Sequence, residues 1–294
     1  MRTLKVAICI PVYGMCHAKF TQSLANMIIH SLGADLRDPD GTPVELELET
    51  FMVSCSMLTE SRHRLVAEAL AWEADHMLWL DADHVFPPDT LMRLLAHNLP
   101  AVGANYPRRF APTAPTAAIL RDAASANSTA PQDERAEEHE SPRTLLYTTR
   151  EDAERGLVEP VAYLGFGVLL IDMRIFDALQ AKAEADGNGQ SSGTSGASFL
   201  PLFKFEPTTN KVGMIGEDVF FFNKLAEVGI RPFVDHRLSW EVGHLFEVVL
   251  TNGHALAQRE QWAEHQRTKA AKFARKAEEV MGPPLRRPAD GAAP

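Results

Sequence analysis

The chain has 294 residues, of which 45% are hydrophobic, enough for the core of one large α/β domain or two small ones. Its net charge of −10 argues against a surface that binds duplex nucleic acid, because neutralising phosphates requires clustered Lys and Arg. Three cysteines (Cys9, Cys16 and Cys55) form an odd set without metal-ligand spacing, so neither a disulfide framework nor a zinc site is indicated.

The apolar stretches are interrupted by charge or proline well before they reach a membrane-spanning length. The N-terminus runs straight into a strand-like segment, without the apolar region and cleavage site of a signal peptide. We therefore expect a soluble, intracellular protein without a transmembrane segment.

The first third of the chain alternates between strand and helix patterns. Residues 5–12 are a short apolar run that predicts a buried strand. Helical spacing over residues 17–32 comes next, then strand-like alternation over 44–53 and an amphipathic segment over 61–74. A third apolar strand ends at Asp81. This βαβαβ order predicts an α/β fold whose mainly parallel sheet is flanked by helices.

Later segments continue the pattern less regularly. Residues 100–104 predict another short strand, and residues 231–235 predict the last one. Between them, residues 158–173 are apolar and contain Gly165-Phe166-Gly167, which fits a strand with a close backbone approach at the glycines. A helix that begins at Glu217 is predicted to end at Gly229.

Composition divides the rest of the chain. We predict one domain over residues 1–255, with flexible insertions at about 121–145 and 184–198, where bulky apolar residues are scarce. Residues 256–281 are predicted to form a C-terminal basic helix, and residues 282–294 a disordered tail. The basic helix could touch an anionic acceptor or a membrane surface, or it could be a solvated terminal helix.

The most informative motif is Asp81-Ala82-Asp83, directly after the apolar run Leu78-Trp79-Leu80. A buried parallel strand that ends in this way delivers two carboxylates to the carboxyl edge of its sheet, where α/β proteins bind ligands. Carboxylates suit Mg²⁺ or Mn²⁺, which commonly carries a substrate diphosphate. The alternative is a polar turn that caps the helix after Pro87-Pro88-Asp89.

A second acidic pair, Glu217 and Asp218, falls in a predicted first helical turn. Acids are favoured there by the helix dipole alone, which also favours the ionised form that a general base needs. His244 follows the last predicted strand beside a glycine, where it could supply a third metal ligand. His236 and His84 are the competing histidines.

In order and spacing these motifs resemble a GT-A glycosyltransferase, similar to family 2 of the nucleotide-sugar-dependent enzymes and closest to its non-processive bacterial or phage-type members. The resemblance covers roughly residues 4–250 and rests on these segments: Ile10-Pro11-Val12-Tyr13, Asp81-Ala82-Asp83, Gly165-Phe166-Gly167, Gly216-Glu217-Asp218 and His244. It implies a GT-A, Rossmann-like fold and a cytoplasmic location in a bacterial cell or phage-infected host. No Gln-x-x-Arg-Trp motif is present, so the resemblance does not extend to processive synthases.

The resemblance also implies roles for individual residues. Mn²⁺ or Mg²⁺ and the donor diphosphate would be bound by Asp81, Asp83 and His244, and Asp218, paired with Glu217, would be the general base. Donor-binding residues would be Pro11, Tyr13, Arg62, Asp81 and Gly165. The implied activity is that of a hexosyltransferase. It moves a sugar, by default from a UDP-sugar, to a hydroxyl acceptor with inversion.

The acceptor stays open among a glycan, a lipid-linked sugar, a protein and a modified DNA base. Two other functions also stay open. A nucleotidyltransferase would share the sheet, although the single glycine in Tyr13-Gly14-Met15 departs from its Gly-rich loop. A non-catalytic nucleotide-sugar-binding protein would keep the fold without turnover. Dinucleotide and P-loop enzymes are disfavoured because their glycine motifs are absent from the sequence.

Overall fold

The computed structural model describes residues 2–38, 40–109, 113–120, 143–186, 200–207 and 214–246, with residues 267, 268 and 271. The chain divides into two compact units, Met1–Leu245 and Phe246–Pro294. Within the described ranges, no helix has both the length and the apolar character needed to cross a bilayer.

The described residues form these strands: β1 (Arg2–Val12), β2 (Val44–Ser54), β3 (His76–Leu80), β4 (His84–Val85), β5 (Ala101–Gly103), β6 (Ala118–Leu120), β7 (Arg143–Leu145), β8 (Val158–Pro160), β9 (Val168–Asp172), β10 (Glu206–Pro207), β11 (Met214–Ile215), β12 (Phe233–Asp235) and β13 (Gly243–His244). The helices are α1 (Ala18–Leu32), α2 (Leu58–Ala71), α3 (Thr90–Ala96), α4 (Arg150–Arg155), α5 (Arg174–Ala185), α6 (Glu217–Glu227) and α7 (His236–Glu241).

Seven strands form the central sheet, in the order β2-β1-β3-β9-β5-β12-β8. The strands β2, β1 and β3 are mutually parallel, and β5 is parallel to β12. Strand β9 lies between β3 and β5 and is antiparallel to both, so β2, β1, β3, β5 and β12 share one direction. Strand β8 is antiparallel to β12 and is the second reversed strand of this sheet. The predicted mainly parallel α/β sheet is confirmed, and its architecture is consistent with a Rossmann-like fold.

Both faces of the sheet are covered, as the continuous apolar sequence of β1 predicts. Along β1, Ala7 and Cys9 join one hydrophobic cluster together with Leu65 of α2. Ile8 points to the opposite cluster, which includes Phe20 of α1. Cys9 therefore packs in the core as a small apolar residue.

The segment over residues 158–173 differs from the single strand that we predicted. It forms β8 and β9, with Gly165 and Gly167 in the loop between them. A Cβ on Gly165 would lie 2.1 Å from the Tyr106 hydroxyl oxygen, and one on Gly167 would lie 2.4 Å from Cε1 of His84. The predicted close backbone approach is confirmed, and it occurs because this loop packs directly against the two rings.

The predicted insertions lie largely outside the described residues, and their described ends belong to regular elements. Arg143–Leu145 is strand β7, which pairs antiparallel with β6, and α5 extends to Ala185. The predicted basic helix over residues 256–281 lies outside the described residues apart from 267, 268 and 271, which are helical. The predicted tail over 282–294 lies wholly outside them.

Candidate functional site

The Asp-x-Asp motif leaves the end of strand β3 at the carboxyl edge of the parallel strands. The strand is buried, as predicted, and the chain turns immediately after Leu80. The Asp81 N–H donates to the Gly167 carbonyl at 3.1 Å, and the Ala82 carbonyl accepts from the His17 N–H at 3.2 Å. The loop is thereby fixed to the glycine loop before β9 and to the beginning of α1.

The alternative role of the motif, as a cap for the following helix, does not fit the structure. Helix α3 begins after Asp89, and the Asp89 side chain makes no capping hydrogen bond. Asp83 instead pairs with Arg109, whose Nη1 lies 2.6 Å from Oδ2. Both histidines that contact Asp83 also lie outside α3.

Asp83, His84 and His244 form a cluster in which one candidate ligand atom from each residue lies within 4.8 Å of the others. Oδ1 of Asp83 lies 3.1 Å from Nδ1 of His84 and 3.5 Å from Nε2 of His244. The two imidazole rings stack with centroids 4.2 Å apart. Antiparallel pairing of β4 with β13 places His84 opposite His244, so a two-stranded ribbon assembles the cluster.

The orientation of His244 is set by a hydrogen bond on its far side. Its Nδ1 lies 2.8 Å from the Pro107 carbonyl oxygen, and a carbonyl can only accept. Nδ1 therefore carries the proton, which leaves the lone pair of Nε2 facing Asp83 in the neutral ring. A histidine whose second nitrogen donates to a backbone carbonyl is the usual arrangement for a metal ligand.

His84 fits the same role. It is only 1% exposed, and among the described residues neither of its ring nitrogens makes a hydrogen bond of good geometry, although Nδ1 lies 3.1 Å from Asp83. A buried polar group without a well-formed hydrogen bond is costly. A cation bound by Nδ1 would offset this cost, so the donor set of one carboxylate and two imidazoles fits a divalent metal ion.

Asp83 is held in the ionised form that metal binding needs. Burial alone would raise its pKa, but the adjacent imidazoles of His244 and His84 and the charge of Arg109 outweigh burial. Together they hold the pKa of Asp83 well below its usual range.

A second cluster joins the two acidic motifs through Arg62 of α2. Arg62 is 3% exposed, and its Nη1 lies 2.8 Å from Oε1 of Glu217, while its Nη2 lies 3.9 Å from Oδ1 of Asp81. The guanidinium also stacks on Phe166, 4.4 Å from the ring centroid. Burial raises the pKa of Glu217, and the Arg62 charge opposes that rise.

Asp218 lies beside Glu217 in the first turn of α6, as predicted. It keeps partial solvent exposure, and its Oδ1 accepts from the Val219 N–H at 2.7 Å. A Cβ on Gly216 would come within 2.6 Å of the same oxygen, so the glycine leaves room for this carboxylate. Burial raises the pKa of Asp218 despite the opposing charge of Arg62.

Tyr106 connects the two clusters, and sequence reasoning did not assign it to the site. Its ring lies 4.2 Å from that of His84 and 5.4 Å from that of His244. Its hydroxyl accepts from the Gly167 N–H at 2.8 Å. Burial raises the pKa of Tyr106 well above its ordinary value, and the negative charges of Asp81 and Asp218 add to that rise.

Other predicted site residues lie as follows. Pro11 is buried within β1, opposite Val53, while Tyr13 just beyond the strand is 83% exposed. Gly165 packs under Tyr106, which accounts for a glycine there. His236, one of the competing histidines, lies 2.9 Å from Glu159 and outside the metal-ligand cluster. The predicted contacts of Pro11, Tyr13, Arg62 and Gly165 with a nucleotide stay predictions.

Asp81, predicted as a metal ligand, lies outside the three-residue cluster and faces Arg62. His84 takes the third position in that cluster. Its place directly after Asp83 in the sequence was the signal that could have identified it. Metal binding by Asp81 stays a prediction.

Comparisons with known proteins add little to this geometry. No protein-family model matches the chain, and no curated protein matches it. One similar solved structure is described as "Crystal Structure of A197 from STIV", with 13% sequence identity and a TM-score of 0.36. The alignment covers 85% of this chain and 97% of that one. A similarity at this TM-score carries no argument about function.

Proposed function

We propose that the protein is a metal-dependent glycosyltransferase of GT-A type, which transfers a sugar from a nucleotide-sugar donor to a hydroxyl acceptor. The observation that carries this proposal is the cluster of Asp83, His84 and His244 at the carboxyl edge of the sheet. The order of the motifs, which resembles that of family 2, supports the same activity. By that resemblance the donor is a UDP-sugar and the reaction inverts configuration.

The proposed metal ligands are Asp83, His84 and His244, with Asp81 nearby on the same loop. Two imidazole ligands favour a transition-metal ion over Mg²⁺, which prefers oxygen ligands. By the resemblance this ion is Mn²⁺. When bound, the cation would neutralise the negative charge that develops on the leaving nucleoside diphosphate.

The two acids of the second motif have different proposed roles. Glu217 is neutralised by Arg62 at 2.8 Å, so it serves to hold the beginning of α6 in place. Asp218 keeps partial exposure, and its raised pKa makes it a stronger base than an ordinary aspartate. We assign to Asp218 the removal of the proton from the attacking acceptor hydroxyl.

The test is release of nucleoside diphosphate from a panel of nucleotide sugars, with Mn²⁺ or with a chelator, and without any acceptor. Slow hydrolysis by water reports the donor independently of the unknown acceptor. We expect metal-dependent release from one donor, and we expect Asp83→Asn to abolish it. His30→Ala, which changes an exposed histidine on α1, is the matched control and should hydrolyse the donor like the parent.

Two other outcomes would separate the remaining functions. Donor binding that persists in Asp83→Asn and in chelator, without turnover, would support the non-catalytic binding protein. Absence of both binding and hydrolysis across the panel would overturn the glycosyltransferase proposal and favour a nucleotidyltransferase, for which pyrophosphate release from nucleoside triphosphates is the assay.

A further inference from the structure

A pocket of about 360 Å³ lies beside the metal-ligand cluster, and the site described above assigns it no role. Its walls come from the segment around Tyr106 and Pro107, from Tyr147 and Thr148, and from α7 and the residue after it. This volume lies within the range of small-molecule binding sites. Two large aromatic side chains line it while remaining open to solvent: Tyr147 and Trp240 are each 55% exposed.

The lining is chemically distinctive. Among the described residues, all of the side chains that line the pocket are uncharged, so the walls offer an anion no ionic partner. Several polar groups in the wall are already engaged within the protein. Thr148 Oγ1 lies 3.0 Å from Nδ1 of His236, and the Ser239 hydroxyl donates to the Asp235 carbonyl.

The ligand surface is therefore largely aromatic and apolar, and its two exposed aromatic residues, Tyr147 and Trp240, each carry one polar group. Aromatic side chains of this kind combine a broad apolar face with one hydrogen-bonding group. A pyranose ring has the matching construction, because its C–H faces are apolar and its hydroxyls project from the rim. Phosphorylated and polyanionic ligands lack a counter-charge here.

We propose that this pocket binds a neutral pyranose unit of a glycan, stacked on Trp240 and Tyr147. Two residues that line the pocket also contact the metal-ligand cluster: the Tyr106 ring packs against His84 and His244, and the Pro107 carbonyl orients His244 at 2.8 Å. A sugar in the pocket would thus lie next to the proposed donor site. Resting on the proposed function, the inference names the acceptor as a neutral glycan.

The experiment is calorimetric titration of the full chain with neutral disaccharides (cellobiose, maltose, lactose and diacetylchitobiose) and with glucose 6-phosphate. All titrations are made in chelator, so that sugar binding is measured apart from metal binding and from transfer. We expect saturable binding of at least one neutral disaccharide, with weaker binding of the sugar phosphate. Trp240→Ala and Tyr147→Ala should each weaken it about tenfold, as is typical of an aromatic anchor.

Phe205→Ala is the matched control, because Phe205 is an exposed aromatic residue outside the pocket lining. This variant should bind the disaccharide with the affinity of the parent. Trp240→Phe should recover part of the affinity, which separates stacking from a general loss of structure. No neutral sugar binding, or binding that both alanine variants retain, would overturn the inference. Either result would leave the proposed function standing if Mn²⁺-dependent donor hydrolysis is observed. Sugar binding without donor hydrolysis would overturn the proposed function and with it the acceptor role, but it would leave the pocket as a site for neutral sugars.

Discussion

Nη1 of Arg62 lies 2.8 Å from Oε1 of Glu217, although 155 residues separate them in the chain. Both side chains are withdrawn from water, with 3% and 10% of their surfaces exposed. The ion pair ties the middle of α2 to the beginning of α6. It therefore connects the second acidic motif to the sheet edge that carries the first.

Removing one partner of this ion pair should be strongly destabilising. In Arg62→Met the carboxylate of Glu217 would remain buried without its counter-charge, which typically costs about 3–5 kcal/mol. The measurement is the free energy of unfolding from urea titration followed by circular dichroism. The double variant Arg62→Met with Glu217→Leu should recover much of the loss, because buried ion pairs can be replaced by apolar groups. A single variant as stable as the parent would refute the importance of the ion pair.

The two histidines should both contribute to metal affinity. His84→Ala and His244→Ala are each expected to weaken Mn²⁺ binding at least about tenfold, since even groups that only support metal ligands commonly have effects of this size. Electron paramagnetic resonance of free Mn²⁺ measures the affinity without any substrate. His30→Ala should bind Mn²⁺ like the parent. If His84→Ala also does so, His84 is a packing residue and the site has two protein ligands.

Gly167 should tolerate no side chain. A Cβ there would lie 2.4 Å from Cε1 of His84 and 2.7 Å from Cζ of Tyr106, so Gly167→Ala must displace buried rings. We expect a loss of about 1–3 kcal/mol in the free energy of unfolding, as for other overpacked cores, and weaker Mn²⁺ binding. Gly33→Ala is the control, because its Cβ would meet nothing closer than 3.5 Å. Equal stabilities of the two variants would contradict the tight packing.

The secondary structure near the first motif could be predicted from sequence because its signals are local. The apolar run ending at Asp81 became β3, and α1 and β2 fall within one or two residues of their predicted bounds. The antiparallel orientation of strand β9 was not predicted. A continuous apolar run indicates that a strand is buried on both faces, but it does not indicate the direction of the strand relative to its neighbours.

The site was predicted less completely because its contacts join distant segments. Asp83 and His244 were identified from their own motifs. The pairing of β4 with β13 also places His84 beside them. Each of these strands has only two residues, which is too short to produce a periodic hydrophobic pattern in the sequence. The carbonyl of Pro107 that orients His244 is a backbone group, so the identity of the residue could not have predicted its role.

The free energy of unfolding should decrease as the pH is lowered, because His63 titrates. Its Nε2 accepts from the N–H groups of Leu202 and Phe203 at 3.1 and 3.2 Å, which requires the neutral ring. Burial lowers its pKa below 6.5, although the hydrogen bond to the Thr59 carbonyl and the charge of Glu60 oppose this.

The unfolded chain therefore binds the proton more readily than the folded protein below about pH 6.5. The stabilisation is complete above that pH and is lost as the pH falls toward the lower pKa of the folded state. Because His63 is partly exposed, the slope should stay well under the single-proton limit of about 1.4 kcal/mol per pH unit. Urea unfolding of the parent and of His63→Gln between pH 5 and 8 measures it, and parallel profiles would exclude His63 as the titrating group.

The proposed division of labour between Glu217 and Asp218 predicts different losses for two isosteric variants. Asp218→Asn removes the base but leaves the ion pair intact, so nucleoside diphosphate release with a competent acceptor should fall about 10²–10⁴-fold at unchanged stability. Glu217→Gln should instead lower stability, with a smaller effect on rate. Initial rates with Mn²⁺ and urea unfolding of both variants provide the comparison. Because Asp83, His84 and His244 remain, Asp218→Asn should keep the Mn²⁺ affinity of the parent. A rate loss confined to Glu217→Gln would reverse the two assignments and make Glu217 the base.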